Sequence, residues 1–304
     1  MVHNMVFDTH CHVHLYPGHF SEKMAKIYMG ALAGVPVWWD PDRTWVAEDL
    51  NTDPAKLIAD MDRAGIERAF LLSQYWGPFD THTPSEYVAE VIAQYPDRFI
   101  GFHGGDPIAG LKSVKELEHA VKEYGFRGLK LSPAYNHVAV NDPRIYPLYC
   151  KCEELGIPAL VHAGWTFVPG SRIENQNPLL FDEVAETFPT LKLIVAHTGF
   201  HWSHETVMLM RKHKNVYADL AFWESSMPFH FIAESLMWAK ATGVLDRIFW
   251  GSDYPSADPA ESIALYRRVP KYTQERGLDP VITEEDIEGV LGGNARKLVE
   301  SLQP

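Results

Sequence analysis

The chain has 304 residues, with 46% hydrophobic residues, 22% charged residues and a formal net charge of −13. This composition is ordinary for a folded protein and excludes extensive disorder. The acidic balance excludes nucleic-acid binding through a general basic surface, and no apolar run reaches the length of about 18 residues that a transmembrane helix needs.

Short apolar runs rich in β-branched residues alternate with amphipathic stretches along nearly the whole chain. Such alternation indicates βαβ units and a parallel sheet. Eight segments are predicted strands: Met5–Thr9, Ile66–Leu72, Phe99–His103, Gly128–Leu131, Ala159–His162, Leu193–His197, Val216–Leu220 and Ile248–Ser252.

Predicted helices fill the intervals between these strands. Four of them begin with Asp or Asn followed by Pro, the residues preferred at the N-cap and at the first helical position. The predicted helices are Pro54–Ala64, Ser85–Tyr95, Leu111–Tyr124, Pro143–Leu155, Pro178–Phe188, His204–His213, Phe229–Thr242 and Pro259–Arg268.

Eight βα units in one chain favour an α/β fold of the (β/α)₈ TIM-barrel type, with residues 1–304 as a single domain. No G-x-G-x-x-G follows the first strand, which argues against a dinucleotide-binding sheet. Residues 15–52 form an insertion after the first strand, where Trp38, Trp39 and Trp45 are candidates for a lid or an oligomer contact. Residues 283–302 are predicted closing helices, with a Gly-Gly turn before Asn294.

Polar side chains follow several of the predicted strands. His10 and His12 lie at the end of the first strand, and residues two apart on a strand point to the same face. His162, His197 and Asp253 end the fifth, sixth and eighth strands. All strand ends of a parallel barrel meet at one mouth, so these imidazoles and the carboxylate predict a site for Zn²⁺ or a similar divalent ion. Each His taken alone could equally be a hydrogen-bonded core residue.

The ordered set of motifs resembles the amidohydrolase superfamily, in particular the amidohydrolase-related group that contains aminocarboxymuconate-semialdehyde decarboxylase and metal-dependent hydrolases. The resemblance spans nearly the whole chain. The matching motifs are Phe7-Asp8-Thr9-His10-Cys11-His12, Leu160-Val161-His162, Val195-Ala196-His197-Thr198-Gly199, Gly251-Ser252-Asp253-Tyr254-Pro255 and Gly292-Gly293-Asn294-Ala295-Arg296-Lys297-Leu298.

The resemblance implies roles for these residues. His10, His12 and His162 would bind the metal, with Asp253 as a further ligand or as the acceptor of a proton from metal-bound water. His197 would ligate a second ion or act as an acid/base. The ion implied is most simply Zn²⁺, with Mn²⁺ as an alternative. There would be one ion, or two if Lys130 on the fourth strand is carboxylated as in binuclear members. Lys130 could instead anchor a substrate carboxylate, or be a structural lysine at the strand end.

Other candidates for contact with the substrate lie at or after the strand ends: His103, Tyr135, Trp165, Arg172 and Trp223. Aromatic side chains in βα loops can form an apolar wall around a planar substrate, and Arg172 could pair with a carboxylate. Loop packing for the aromatic residues and a surface position for Arg172 are the alternatives.

Two reactions fit the predicted site. The first is hydrolysis of a small amide, lactone or ester by metal-activated water. A second ion bound through a carboxylated Lys130 would favour this reaction. The second is nonoxidative decarboxylation of a small unsaturated or aromatic acid. A non-catalytic metal-binding barrel is the alternative from another class.

The three cysteines, Cys11, Cys150 and Cys152, show no disulfide framework, and the start of the chain lacks a signal-peptide pattern, so a cytoplasmic protein is expected. The family resemblance further implies a homodimer.

Overall fold

The computed structural model describes residues 6–33, 42, 44–166 and 168–302. Trp38 and Trp39 lie outside the described residues, whereas Trp45 is buried. No helix in the described part of the chain is long and apolar enough to span a membrane.

A sheet of eight parallel strands forms the centre of the molecule, which confirms the predicted TIM barrel. The strands, in sheet order, are β1 (Val6–His12), β2 (Ile66–Leu72), β5 (Phe99–Gly104), β6 (Leu129–Leu131), β7 (Ala159–Val161), β8 (Leu193–Val195), β9 (Val216–Asp219) and β10 (Ile248–Phe249).

The last segment returns to the first strand and closes the barrel. The Thr9 amide donates to the Trp250 carbonyl over 3.2 Å, and the His12 amide donates to the Tyr254 carbonyl over 3.1 Å. β10 itself is only two residues long, although the sequence predicts a strand to Ser252, because the chain turns there and Asp253 takes a left-handed conformation with φ 52°.

Helices cover the outside of the barrel and follow the predicted intervals closely. Their bounds are α2 (Pro54–Ala64), α3 (Ser85–Gln94), α4 (Leu111–Tyr124), α5 (Tyr146–Leu155), α6 (Phe181–Thr187), α7 (Ser203–Lys212), α9 (Phe229–Ala241) and α10 (Pro259–Tyr266). Asp53 and Asp258 cap α2 and α10 as predicted, each accepting from an amide in the first turn. The predicted start of α5 at Pro143 is wrong, because Asp142 accepts from the Arg144 amide and holds a turn there instead.

Five of the described α-helices and β-strands have no counterpart among the predicted strands and helices. The insertion after β1 contains α1 (Glu22–Leu32), and a two-stranded antiparallel hairpin follows β2, formed by β3 (Gln74–Trp76) and β4 (Thr81–Thr83). Two further helices are α8 (Trp223–Ser226) and α11 (Val269–Glu275). The hairpin lies against the ends of β5 and β6, so it helps to form the mouth of the barrel.

The closing segment consists of α12 (Glu284–Glu288), a π-helical turn (Gly289–Gly293) and α13 (Asn294–Glu300). The predicted Gly-Gly turn is wrong, because Gly293 has a helical φ of −58° and the chain continues into α13 without a break. Asn294 donates its side-chain amide to the carbonyls of Leu245 and Ile248, each over 2.9 Å. These bonds hold α13 against the lower end of β10.

Apolar side chains fill the interior of the barrel. β1, β2, β5, β7, β8 and β10 contribute inward-facing residues, and α13 adds Ala295, Leu298 and Val299 to the same cluster. The interior is therefore a packed core closed at the bottom by α13, and the polar strand ends are left at the opposite, upper mouth.

Candidate metal centre

Three polar side chains converge at the mouth, where the first and last strands of the barrel sheet lie side by side. β1 directs His10 and His12 to the same face, since their positions differ by two residues. Asp253 follows β10, and its backbone amide donates to the His10 carbonyl over 2.8 Å. This bond fixes the Asp253 loop to the strand that carries the two imidazoles.

The distances among these side chains fit a single ion. Asp253 Oδ1 lies 3.4 Å from His10 Nε2 and 3.4 Å from His12 Nε2. Two ligand atoms that are each about 2.1 Å from a tetrahedral Zn²⁺ are about 3.4 Å apart. The three residues form one of the two groups of His, Cys, Asp or Glu in the described chain that are close enough to share a metal ion.

The electrostatics of the group suit metal binding. Burial lowers the pKa of His10, His12 and His162, so these imidazoles are neutral and offer lone pairs at neutral pH. Burial also acts to raise the pKa of the Asp253 carboxyl, but the adjacent His10 and His12 outweigh it and hold that pKa below its usual range. Asp253 is therefore a carboxylate.

Asp219, at the end of β9, orients His10. His10 Nδ1 lies 3.0 Å from Asp219 Oδ2, and donating to it leaves the His10 lone pair on Nε2, facing Asp253. The other oxygen of Asp219 accepts from the amides of His197 and Ala221, over 2.8 and 3.1 Å. The second metal-compatible group, His10 with His197 and Asp219, is thus occupied by hydrogen bonds, and Asp219 supports the first group instead.

His197 and His162 form a close pair beside this group. The Ala221 carbonyl can only accept, so His197 donates to it from Nδ1 over 2.9 Å and keeps its lone pair on Nε2. That nitrogen lies 3.1 Å from His162 Nδ1. His162 Nε2 lies 3.0 Å from the Gln176 side-chain oxygen, which only accepts, so two neutral rings have one proton too few to satisfy all three contacts. His162 Nε2 is the nitrogen that metal ligation by His162 would use.

Lys130, on β6, is buried beside the same His and Asp residues. Its Nζ lies 3.0 Å from His10 Nε2, the nitrogen that faces Asp253. Burial lowers the pKa of Lys130 to about 8, and the carboxylates of Asp219 and Asp253 oppose that shift. A metal ion taken up by His10 would have to displace this amino group. Because Nζ is not in bulk solvent, a bridging role and a substrate-anchoring role for Lys130 both stay predictions.

Aromatic side chains form the walls of the central cavity, which encloses about 50 Å³ above the His and Asp residues. Trp76 from the hairpin stacks on Tyr135, with ring centroids 4.2 Å apart and planes 6° apart. Phe20 and Tyr28 from the insertion also line it, together with Trp165. Aromatic rings therefore form much of the wall around the His and Asp residues.

The structure does not bring every predicted contact residue to this cavity. Arg172 is an exposed side chain that pairs with Glu174 over 3.2 Å. His103 points away from the barrel and lines a different cavity. Trp223 is buried behind His197 and donates to the His197 carbonyl over 2.6 Å, so it supports that residue from below.

The residues in or beside the cavity that were not identified from the sequence include His14, Asp219 and Gln176. His14 continues the alternation of His10 and His12 along the same face, and Asp219 ends an apolar strand like the predicted ligands do, so both carried a usable signal. Gln176 lies in an irregular loop, and nothing in the local sequence distinguishes it.

A family model described as amidohydrolase matches residues 7–300. A 2-amino-3-carboxymuconate-6-semialdehyde decarboxylase from Dictyostelium discoideum is 26% identical over 182 residues, which are 53% of this chain and 48% of that protein. A 2-keto-4-carboxy-3-hexenedioate hydratase from Sphingobium sp. is 27% identical over 231 residues, which are 65% of this chain and 67% of that protein. The chain thus matches about half the length of the first relative and two thirds of the second.

Solved structures share the fold along the whole chain. An uncharacterised TIM-barrel protein from Bordetella bronchiseptica superimposes with a TM-score of 0.73 at 23% identity, covering 98% of this chain and 99% of that one. A dihydroxybenzoic acid decarboxylase from Polaromonas sp., solved with manganese and 2-nitroresorcinol, has a TM-score of 0.64 at 18% identity, covering 98% and 97%.

Proposed function

The chain belongs to the amidohydrolase family, and on that premise we propose that it is a metal-dependent decarboxylase of a small planar carboxylic acid. The observation that carries the proposal is the group formed by His10, His12 and Asp253, which among the described residues is the metal-compatible group whose carboxylate is not bonded to backbone amides. Asp219, which belongs to the second metal-compatible group, is engaged in hydrogen bonds instead. A site with one ion would not support the argument that a second ion made for hydrolysis, and the decarboxylase among the relatives supports the choice of decarboxylation.

The proposed ligands are His10, His12, His162 and Asp253, and the proposed ion is Zn²⁺ or Mn²⁺. A divalent ion held there would supply positive charge that stabilises an electron-rich transition state. The residues themselves bind and orient the acid and transfer a proton. When the bond to the carboxyl carbon breaks, its electron pair enters the conjugated system, CO₂ leaves, and a proton must be placed on the carbon.

His197 and Asp253 are the proposed proton-transfer groups, since both line the cavity. Asp253 is a carboxylate and neutral His197 gives its N–H to the Ala221 carbonyl, so they would pass on a proton taken from water. Burial lowers the pKa of His197 to about 4, so a proton that reaches it is passed on readily. Its Nδ1–H is held by the Ala221 carbonyl, so that a proton would reach the ring at Nε2, where it would replace the contact with His162 Nδ1. This arrangement supports general acid–base catalysis at a defined ring atom.

Lys130 is the proposed anchor for a carboxylate of the substrate. Among the described residues that line the central cavity, it is the single Lys or Arg. A planar acid held by Lys130 would lie against the stacked pair of Trp76 and Tyr135. Stacking keeps the conjugated plane aligned with the bond that breaks, and excludes water from the developing charge.

Addition of water, either hydration or hydrolysis, is the second candidate. Asp253 Oδ1 lies at equal distances from two of the proposed ligands, a position from which a carboxylate could accept a proton from water. The hydratase among the relatives supports this alternative.

Release of CO₂ separates the two candidates. Protein reconstituted with Zn²⁺ or Mn²⁺ is incubated with a set of hydroxybenzoic, muconic and pyrone carboxylic acids and with simple lactones, and both headspace CO₂ and products are measured. We expect CO₂ in equal amount to a product that is one carboxyl group smaller. The Asp253→Asn variant, with its metal content measured in the same preparation, is the matched control.

Products that gain water without CO₂ release would contradict the proposal and support the second candidate. The metal content of the protein tests independently the argument that the site holds one ion. We expect one ion per chain by elemental mass spectrometry, and two ions per chain, with Lys130 carboxylated, would return the preference to hydrolysis.

A further inference from the structure

A second cavity, of about 700 Å³, lies outside the barrel between α3, α4 and the β3–β4 hairpin. We refer to it as the outer cavity. It shares no lining residue with the central cavity among the described residues. His103 and Ser85 are the buried polar residues in its lining.

His103 has an unsatisfied ring nitrogen. On β5, Phe102 points into the barrel interior, so the next residue points outward to the outer cavity. The side chain of His103 is 7% exposed, and its Nδ1 lies 2.8 Å from Ser85 Oγ. Its Nε2 is buried and has no hydrogen-bond partner in the described part of the chain. Buried polar atoms in folded proteins nearly always have a partner, so this atom indicates a missing one.

A chain of hydroxyl groups fixes the tautomer of His103. Ser73 Oγ lies 2.7 Å from the Thr83 carbonyl and must donate to it, since a carbonyl oxygen only accepts. Ser85 Oγ lies 3.3 Å from Ser73 Oγ, whose proton is already used, so Ser85 donates to Ser73. Ser85 must therefore accept from His103 Nδ1–H.

With the proton on Nδ1, Nε2 of the neutral ring carries a lone pair. Burial lowers the pKa of His103 to about 4, which agrees with a neutral ring. The partner of Nε2 must consequently be a hydrogen-bond donor, and a carboxylate oxygen placed there would be repelled.

The other residues that line the outer cavity indicate the rest of the chemistry of its ligand. Two edge-to-face aromatic pairs line the outer cavity: Tyr75 with His82, at 5.5 Å between ring centroids, and His119 with Tyr124, at 5.1 Å. Such walls favour an aromatic ring. The charged residues nearly balance, with Lys112 and Lys115 against Glu86, Asp106 and Glu116, which favours an uncharged ligand.

We propose that the outer cavity is a binding site for a small phenol, whose hydroxyl group donates to His103 Nε2 and whose ring packs against the tyrosines. The site is distinct from the proposed catalytic cavity and does not depend on the reaction catalysed there. Thr83 connects the two regions, because its carbonyl accepts from Ser73 Oγ and its side-chain oxygen lies 2.7 Å from Nδ1 of His14, which lines the central cavity.

Side-chain NMR of the full chain, loaded with metal and labelled with ¹⁵N-histidine, tests the proposal with two probes. Phenol and anisole have the same ring, but anisole lacks the donor. We expect phenol to shift the His103 Nε2 resonance in a saturable way, and anisole to bind about tenfold more weakly or worse, because a site built around a hydrogen bond rejects the analogue that lacks it. Equal binding of the two probes, no saturable binding, or shifts confined to His12 and His14 would overturn the proposal.

The Ser85→Ala variant tests the tautomer argument. Without the Ser85 acceptor, the His103 proton is free to move to Nε2, and phenol affinity should fall to that of anisole. Ser113→Ala is the matched control, since Ser113 is a buried serine on α4 outside the cavity lining, and it should keep the preference for phenol. An unchanged preference in a folded Ser85→Ala variant would contradict the role of His103. If that variant does not fold, the comparison of phenol with anisole in the parent protein still decides.

Discussion

The two ends of the barrel differ in chemistry and in backbone conformation. The upper mouth carries the buried imidazoles and carboxylates, and non-glycine residues with positive φ are concentrated there: His197, Thr198, Phe200, Phe222 and Asp253. The lower end contains apolar side chains packed on the regular helix α13. Left-handed backbone costs stability, and it persists where it places functional side chains. The comparison indicates that the mouth is built for chemistry and that the lower end holds the fold together.

Asp253→Asn should give the largest effect on turnover, and it should separate the catalytic role of the mouth from the stability of the fold. Asn tolerates a left-handed backbone well, so the loop should keep its conformation. Losing the carboxylate should reduce kcat by about 10²–10⁴-fold, the usual contribution of an acid/base group. Steady-state kinetics and thermal unfolding are the measurements, and Asp246→Asn, at an exposed carboxylate, is the control. Near-normal turnover would show that proton transfer lies elsewhere.

Leu298→Ala should have the opposite effect, because it should lower stability and leave turnover unchanged. Removing this buried side chain from the barrel interior should lower the free energy of unfolding by about 2–5 kcal/mol while leaving kcat unchanged. Leu179→Ala is the matched control, since Leu179 is 54% exposed and its loss should change stability little. A large fall in kcat without destabilisation would mean that the lower end of the barrel also contributes to catalysis.

Asp219→Asn should weaken metal binding by about 10–100-fold, as loss of an orienting carboxylate does at other sites. The amide would present a donor to His10 Nδ1, driving the proton of His10 to Nε2 and blocking the lone pair that faces Asp253. Competition with a chromophoric chelator measures the affinity, with Asp182→Asn on α6 as the control. An unchanged affinity would show that His10 does not need this orientation to bind the ion.

Arg172→Ala should give the smallest effect. Its exposed pair with Glu174 lies outside the central cavity, and such surface pairs contribute little. We expect KM to change less than about twofold, because Arg172 cannot reach the substrate in this arrangement. A tenfold or larger increase in KM would restore the role predicted for Arg172 from the sequence.

The barrel and most of the mouth were predictable because both follow from local periodicity. His10, His12 and Asp253 lie together in the structure because parallel strands end at one face, which the strand pattern alone implies. The hairpin at Gln74–Thr83 was missed because its strands are only three residues long and carry no apolar alternation. Gln176 and the outer cavity were missed for a different reason, since loop contacts between distant segments leave no periodic signal.

The position of α13 has a consequence for the order in which the protein is made. Ala295, Leu298 and Val299 belong to the same apolar cluster as Phe7 and Phe249, so the barrel interior cannot be completed until those late residues have been synthesised. Strands translated earlier must wait with an uncovered apolar face, a state that is prone to aggregation during synthesis. The barrel interior can therefore close only after Val299 has been synthesised, and aggregation during synthesis is to be expected mainly before that point.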